Sequence, residues 1–454
     1  MNRTNVRDFT EGNISKQLLT FALPLFMSNL LQVAYNMLDM VIVGNVMGKA
    51  GTSAVAVGGD IAHLLTFVAM GFSSAGQVII ARYIGAKKRD RIGRFVGTMS
   101  FFLFASAIAL SVVGIVFRHG LLGLMNTPEE SYDGALAYSV ISMIGLVFIY
   151  GYNAVSAILR GMGDSKHPFI FISLAAVMNL ILDVIFVIVI PMGAGGAALA
   201  TVISQAASFI LCTVFLIKNS KSFELNVTRR DFISPDREML KDLVKLGTPM
   251  AIKTASIQIS KLFVNSWINS YGVAVSAFAG IANKIASVSN LISQALNTAG
   301  STMVGQNIAA GRFTRVKRIM LEIGAITLII SLILSVLIAV FPVEIFALFT
   351  DGNDTDVTDI AIKYVPIAIL LFLGSAARAV MNSLLNGSGN YRINFATAIF
   401  DGIIMRIGLS LLFGLALDMK HYGFWLGDAL AGFTPFFIGL VFLWSGAWKK
   451  GKDV

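Results

Sequence analysis

Long apolar runs alternate with short polar segments along the whole chain, and this pattern predicts its helices. Each run is long enough to cross a hydrocarbon layer about 30 Å thick as a helix. The short alternating segments typical of barrel strands are missing from the sequence. We therefore predict an all-α polytopic membrane protein with twelve transmembrane helices, expected at 14–43, 54–82, 94–117, 132–160, 169–190, 196–217, 241–270, 277–305, 316–341, 358–386, 393–415 and 422–447.

A stripe of polar residues interrupts the first apolar run. Asn29, Gln32, Asn36 and Asp39 recur at steps of three and four, so they share one face of a helix. An ionised Asp at the centre of a bilayer costs about 2.5 to 3.5 kcal/mol on insertion scales, and by default it marks a functional site. The alternative is a polar seam that only holds helices together.

Composition narrows the function classes. The 454 residues are 56% hydrophobic and 13% charged. Cys212 is the one cysteine, which excludes an intrachain disulfide and a cysteine-cluster metal site. The sequence contains no GxxxxGK[ST], HExxH or GxSxG motif, so we expect neither an ATP-driven pump nor an enzyme, and no cofactor.

The positive charges indicate the orientation of the chain. The formal net charge is +10. With both termini in the cytoplasm, the expected outside loops contain only Lys49, Arg118, Lys363 and Lys420, which fits the positive-inside rule. Basic clusters such as GAKKRDRIGR beside the spans suit this topology and lipid head groups better than nucleic acid.

The longest polar segment divides the spans six and six. It contains TRRDFISPDRE and reads as a cytoplasmic linker. The predicted domains are therefore an N-terminal six-helix lobe at 1–217, a linker at 218–240 and a C-terminal six-helix lobe at 241–454.

The two halves repeat one another in sequence. LLTFALPLF from Leu18 matches LVKLGTPMA from Leu243, the stretch from Ala75 matches that from Ala299, and ILRGMGDSK from Ile158 matches LLNGSGNYR from Leu384. Six spans per half give a parallel repeat related by a pseudo-two-fold axis. Such lobes predict a V-shaped molecule with a central cleft, the architecture of an alternating-access transporter.

These repeated segments resemble the multidrug and toxic compound extrusion (MATE) family of the wider multidrug/oligosaccharidyl-lipid/polysaccharide flippase superfamily. The resemblance covers nearly the whole chain. It implies an antiporter in the plasma membrane of a prokaryote, in which protons or sodium ions run inward while a small, amphipathic organic compound leaves. We expect the chain to function as a monomer, with membrane lipids around it and no nucleic acid partner.

The chain is most similar to the DinF-like branch, because its spans 7 and 10 lack the carboxylates of the other large branch. The resemblance implies a coupling site in the first half. The coupling positions carried over are Asp39, Asn179, Asp183 and Thr201, and the pocket-lining positions carried over are Gln32, Tyr35 and Asn153. To the predicted cavity we add Asn36 of the polar stripe and Gln205, which is spaced i, i+4 from Thr201.

The residues support this site without the family. Asn179 and Asp183 are spaced i, i+4 and share one face of an otherwise apolar helix. If Asp39 and Asp183 come close, the pair should titrate as a unit and bind a proton near physiological pH. The same oxygens, with those of Asn179 and Thr201, would equally form an oxygen cage for sodium as a metal site. Both choices stay open.

Pro24 removes a helical hydrogen bond upstream of Asp39, so span 1 is expected to kink there and could act as a hinge. The bland alternative is a static kink. The hypothesis is that a cation at Asp39 biases span 1 between straight and bent forms.

The second half carries cations within its spans. They are Lys253, Lys261, Lys284, Arg378 and Arg406. Asp401 is the single carboxylate that we assign to this region as their partner. Lys253 and Arg378 could belong to a second-lobe cavity, or could snorkel or bond to carbonyls. These cations leave room for zwitterionic or anionic cargo.

Two other functions compete with cation-coupled export. A flippase for lipid-linked precursors would suit a cationic cavity, but the first-half carboxylates argue against it. A membrane-embedded enzyme acting on lipid would need a nucleophile or metal set that the sequence lacks.

Overall fold

The computed structural model describes residues 5–347 and 355–450, which are helical almost throughout and contain no β-strand. This confirms the predicted all-α fold. In these ranges twelve long helices follow one another: α1 14–47, α2 49–85, α3 Asp90–Val116, α4 Glu129–Gly161, α5 Lys166–Val189, α6 Gly193–Lys218, α7 Arg237–Asn269, α8 Val273–Ala309, α9 Phe313–Val340, α10 Thr355–Gly387, α11 Tyr391–Ala416 and α12 Lys420–Trp444.

Length and apolarity allow nearly all of these helices to cross a membrane. Ten helical stretches qualify among the described residues, and the first of them comprises both α1 and α2. Helix α7 is not among the ten. Its length is ample, but Lys253 and Lys261 lie in its middle and its first turns are strongly charged. Its membership of the bundle therefore follows from the repeat and from its packing rather than from hydropathy.

Gly48 separates α1 from α2. Its backbone angles are φ 64° and ψ −150°, in a region that residues with a Cβ rarely adopt. A Cβ at this position would have no atom within 4 Å. Backbone conformation, not lack of space, therefore selects glycine here.

The loops that join α4 to α5 and α10 to α11 have the same construction. Each contains a glycine with positive φ, Gly163 at 88° and Gly389 at 67°. The next residue, Asp164 or Asn390, accepts hydrogen bonds through Oδ1 from backbone N–H groups two and three residues further on, at 3.1–3.3 Å. These helix caps explain why a small-residue loop recurs in the sequence repeat.

The chain folds into two compact units. Unit 1 comprises 5–8 and Leu23–Ala251, and unit 2 comprises Phe9–Ala22 and the described residues from Ile252 onward. The beginning of α1 is thus part of unit 2, and the beginning of α7 is part of unit 1. These transitions fall beside Pro24 and Pro249, which the sequence repeat pairs. The domain boundaries expected from the linker stay a prediction.

Within unit 2, the segment that leads into α1 is tied down by polar side chains. The N–H of Phe9 donates to Gln306 Oε1 at 2.8 Å, and Asn307 Nδ2 donates to the carbonyl of Phe9 at 3.1 Å. Arg315 makes four further hydrogen bonds, each of 2.9 Å, to the carbonyls of Phe9, Glu11 and Gly12 and to Gln17 Oε1. The guanidinium of Arg315 therefore holds the segment from Phe9 to Gln17 in place.

Within unit 1, the linker packs against the beginning of α3. The N–H of Asp236 donates to Thr98 Oγ1 at 3.0 Å, and Arg94 pairs with Asp236 at 3.0 Å. Asp231 Oδ2 accepts from the hydroxyl and the N–H of Thr228 at 2.7 and 2.8 Å, and these bonds hold the pKa of Asp231 below its usual value. The linker is an ordered cap on unit 1.

The two units have different cores. Unit 1 packs small and aliphatic side chains from α1, α2, α4 and α6, such as Val43, Ala54 and Ala197. Unit 2 has an aromatic centre in which Phe278 lies 4.6 Å from Phe346, 5.2 Å from Tyr364 and 5.3 Å from Trp425 between ring centroids. Phe346 stacks on Phe278, whereas Tyr364 and Trp425 meet it edge-on, and both kinds of contact add to the apolar burial.

Candidate functional site

Helices α1 and α5 bring two carboxyl groups together inside unit 1. Asp39 lies on α1 and Asp183 on α5, and their side chains are within hydrogen-bonding reach of each other. The exposed fractions are 4% for Asp39 and 0% for Asp183. Two buried carboxyl groups in contact form a single titrating unit.

Helix α6 adds a hydroxyl to this pair. Thr201 lies within hydrogen-bonding reach of Asp39, and Asn179 Nδ2 donates to Thr201 Oγ1 at 3.4 Å. Asn179 is 2% exposed and lies one turn before Asp183 on α5. The structure therefore brings together all four residues for which the resemblance implies a coupling role.

The oxygens of this cluster lack donors. Asp39 Oδ1, Asn179 Oδ1 and both carboxyl oxygens of Asp183 are buried and have no donor within the described part of the chain. Two ionised carboxylates cannot donate to each other, so their contact becomes a hydrogen bond only when one of them holds a proton. An all-oxygen set without donors suits a cation, either a shared proton or a metal ion ligated by oxygen.

The backbone changes its winding directly after Asp183. Residues Val184–Val189 form π-helical turns, and Leu412–Ala416 do the same near the end of α11. Short π-helical stretches within helices are frequent at functional sites. Both lobes have this feature, but the repeat-related position in α11 carries no carboxylate.

The predicted pocket residues occupy varied environments. Gln205 Nε2 donates to the hydroxyl of Tyr35 at 3.4 Å, and Tyr35 lies within electrostatic range of Asp39. Asn153 Nδ2 instead donates to the carbonyl of Ile149 on its own helix at 2.8 Å. Gln32 is half-buried and Asn36 is exposed. Tyr35 and Gln205 thus adjoin the carboxyl pair.

Tyr138 is a neighbour of the pair that sequence reasoning missed. It lies on α4, is 9% exposed and is within electrostatic range of both Asp39 and Asp183. Gly58 on α2 leaves room for the ring, because a Cβ there would lie only 2.6 Å from Tyr138 Cδ1. Nothing in the surrounding apolar sequence distinguishes this tyrosine from an interfacial one.

Helix α1 continues through Pro24. Gly48 is the residue that leaves helical φ/ψ between residues 14 and 85, and the hydroxyl of Ser28 donates to the carbonyl of Pro24 at 2.8 Å. The helix is therefore not broken at the proline. The hinge role of Pro24 stays a prediction.

The arginines of the second half pair with carboxylates. Arg378 contacts Asp401 at 3.0 Å, and Arg406 contacts Asp401 at 3.4 Å and also Asp428. Lys253 Nζ donates to Asn382 Oδ1 at 2.5 Å. The expectation that Asp401 pairs with some of these cations agrees with the geometry. The view of Asp401 as the one carboxylate was wrong, since Asp428 on α12 is a second; the same rule on buried charges, applied to LGDALAG, would have found it.

A repeated six-helix lobe, with a buried carboxyl cluster in one half and a buried charge network in the other, defines a polytopic membrane transporter rather than an enzyme. The MatE family model matches residues 24–185 and again 249–412. The chain belongs to the MatE family of multidrug efflux transporters. The duplicated match also confirms the internal repeat.

Individual relatives agree with this assignment. The probable multidrug resistance protein YoeA of Bacillus subtilis is 28% identical over 97% of this chain and 96% of its own length. The probable multidrug resistance protein YpnP of the same organism is 29% identical over 98% of each. A solved outward-facing multidrug resistance MATE transporter of the MOP superfamily has a TM-score of 0.89 at 22% identity, over 99% of this chain and 100% of the other.

Proposed function

We propose that the protein is an antiporter that exports small organic compounds and is driven by the inward movement of a proton or a sodium ion. The observation that carries the proposal is the contact of Asp39 with Asp183 in the interior of unit 1. Neither carboxylate has a basic partner among the described residues, so a cation must compensate their charge.

The coupling step follows from this contact. With one proton shared, the two carboxyl groups attract each other through a hydrogen bond, and with none they repel. A sodium ion would replace the proton by ligation to the oxygens of Asp39, Asn179, Asp183 and Thr201. Either cation therefore changes the force between α1 and α5.

Helix α1 would pass this change on to the cargo pocket. Tyr35 lies one turn before Asp39 and holds Gln205 of α6, so movement of α1 reshapes the polar surface beside the pair. Pro24 lies further down the same helix and would act as its hinge. Loading the cation would then close the pocket and release the cargo.

Drug-like cargo is supported by the relatives, which carry the names of multidrug resistance proteins. These names do not favour a lipid-linked precursor flippase. The lysine and arginine distribution supports cytoplasmic termini in a prokaryotic plasma membrane. We expect a monomer to suffice, because the carboxyl cluster is complete within one chain.

Transport in inverted membrane vesicles tests the proposal. Uptake of ethidium and of fluorescein would be followed with a proton gradient, with a sodium gradient and with neither. We expect one gradient to accelerate uptake of at least one dye. If both dyes stay outside under both gradients, the proposal is wrong.

The identity of the ion needs a separate measurement. Thermal stability of the purified protein would be followed during sodium titration at fixed pH, with potassium as the control. Stabilisation by sodium that disappears in Asp183→Asn would identify sodium as the ligand of the cluster. Proton-driven uptake without this stabilisation would identify the proton.

A further inference from the structure

Six ionisable side chains form a buried cluster in unit 2. They come from four helices, and all lie within electrostatic range of others in the set: Lys253, Lys261, Arg378, Asp401, Arg406 and Asp428. Asp401 is 0% and Arg406 2% exposed. We call this set the unit 2 charge cluster.

The carboxylates of the cluster compensate the charges of its arginines but not those of its lysines. Asp401 bridges Arg378 and Arg406, and Asp428 contacts Arg406. Two guanidinium groups and two carboxylates cancel in formal charge. Lys253 and Lys261 on α7 remain as two surplus positive charges.

Neither lysine finds a carboxylate of its own. Lys253 is 8% exposed and donates to Asn382, a neutral amide. Its ammonium is thus held inside the bundle and does not snorkel to the surface. Lys261 lies two turns further along α7 and makes no salt bridge within the described part of the chain.

The members of the cluster lie about 12 to 24 Å from the nearer end of their helices, with Lys261 and Asp428 at the shorter distance. Lys253 is sixteen residues from each end of α7, about 24 Å at 1.5 Å per residue. Asp401 is about 15 Å from the start of α11 by the same measure. An uncompensated charge at this depth is costly, which marks a ligand site by default.

Part of the cluster is open to a ligand. The side chains of Arg378 and Asp428 are each 20% exposed, while Arg406 behind them is closed off. Arg406 Nε is buried and has no acceptor within the described ranges. An incoming anion would meet Lys261 and the exposed part of Arg378, while Arg406 Nε stays out of its reach.

We propose that Lys253, Lys261 and Arg378 bind the carboxylate or phosphate group of an organic anion or zwitterion. This rests on the proposed export function and narrows its cargo class. The depth of the cluster favours cargo over a lipid head group, since head groups lie at the ends of the helices. The carboxylates of the cluster hold the arginines in place for this role.

Fluorescein, a carboxylate-bearing dye, is the probe. Its binding to the purified full-length protein in phosphatidylcholine nanodiscs would be measured by fluorescence polarisation. We expect saturable binding that weakens about tenfold or more in Lys261→Met, the loss of one charge-assisted interaction. Lys261→Arg keeps the charge and should retain binding. Lys284→Met, at an exposed lysine on α8 outside the cluster, is the matched control and should bind as wild type.

Equal affinity in Lys261→Met and wild type, or absence of saturable binding, overturns the proposal. A second set of nanodiscs would include phosphatidylglycerol. Displacement of fluorescein by this lipid would assign the cluster to head groups and reject cargo. Retained affinity would support the cargo site.

The two proposals can fail separately. Export of ethidium without fluorescein binding would refute the anion site and still support the export function. Fluorescein binding that saturates and is lost in Lys261→Met, with no gradient-driven movement of either dye, would support the anion site and refute the export function.

Discussion

Asp39 on α1 and Asp183 on α5 share one buried contact, and Thr201 of α6 lies within hydrogen-bonding reach of Asp39. The pair belongs to unit 1 alone, and the repeat provides no counterpart to Asp39 in α7, where the nearby residue is apolar Val264. The carboxyl pair is therefore a feature of one lobe, and we propose that cation coupling belongs to that lobe alone.

Asp39→Asn should abolish gradient-driven dye efflux while the protein still inserts and purifies. The amide is close in shape but cannot lose a proton or provide a carboxylate for a metal ion. Asp60→Asn is the matched control, since Asp60 is an exposed carboxylate of the same lobe. Transport in vesicles and membrane abundance would be measured together. Efflux by Asp39→Asn at the wild-type rate would contradict the coupling role.

Thr201→Val should slow driven efflux by about tenfold. The substitution keeps the shape of the side chain but removes the hydroxyl that lies within hydrogen-bonding reach of Asp39. A hydrogen bond to a charged group is worth about 1.5 to 3 kcal/mol. Ser208 lies on α6 like Thr201, and its hydroxyl donates to the Phe171 carbonyl. Ser208→Ala removes this hydrogen bond and should have less effect on coupling. Initial rates of dye transport at a fixed gradient would compare the two. Similar losses in both would point to helix packing instead.

Pro24→Ala should impair efflux without loss of protein from the membrane. Alanine restores a backbone N–H and stiffens α1 at the proposed hinge. Pro249→Ala is the repeat-related control on α7, a helix that carries no coupling carboxylate, so we expect a smaller effect on transport. Unchanged efflux in Pro24→Ala would rule out the hinge.

Asp401→Asn should destabilise the protein by about 3 to 5 kcal/mol, the cost typical of breaking a buried ion pair from one side. The substitution leaves Arg378 and Arg406 with a neutral partner. Asp359→Asn changes an exposed carboxylate of the same unit and should be close to neutral. Denaturation of the detergent-solubilised proteins would give both values. An Asp401→Asn variant as stable as wild type would show that the arginines do not depend on this carboxylate.

Arg315→Ala should release the segment before α1, because this side chain makes four of the hydrogen bonds that hold it. Arg312→Ala removes an exposed pair with Glu11 at 3.3 Å and should cost at most about 1 kcal/mol. Limited proteolysis near Glu11 would distinguish them. If both variants resist cleavage equally, the hydrogen bonds of Gln306 and Asn307 are enough to hold the segment.

Hydropathy and repetition were enough to predict the helices and their number. Long apolar runs leave few alternatives in a membrane, and the i, i+4 spacing of Asn179 and Asp183 is visible in the sequence. The contact of Asp183 with Asp39 is different, since it depends on how separate helices pack. Sequence reasoning also missed Tyr138, the π-helical turns after Asp183 and the change of unit beside Pro24. These depend on packing and backbone winding, which local patterns do not encode.

The anchoring of Phe9 has a consequence for biosynthesis. Its partner Gln306 is 297 residues away, so at about 5 to 20 residues per second it leaves the ribosome roughly 15 to 60 s later. Throughout that interval the start of α1 must wait without its final partners. The segment around Phe9 thus reaches its final hydrogen bonds only after the stretch of the second half that contains Gln306 has been synthesised.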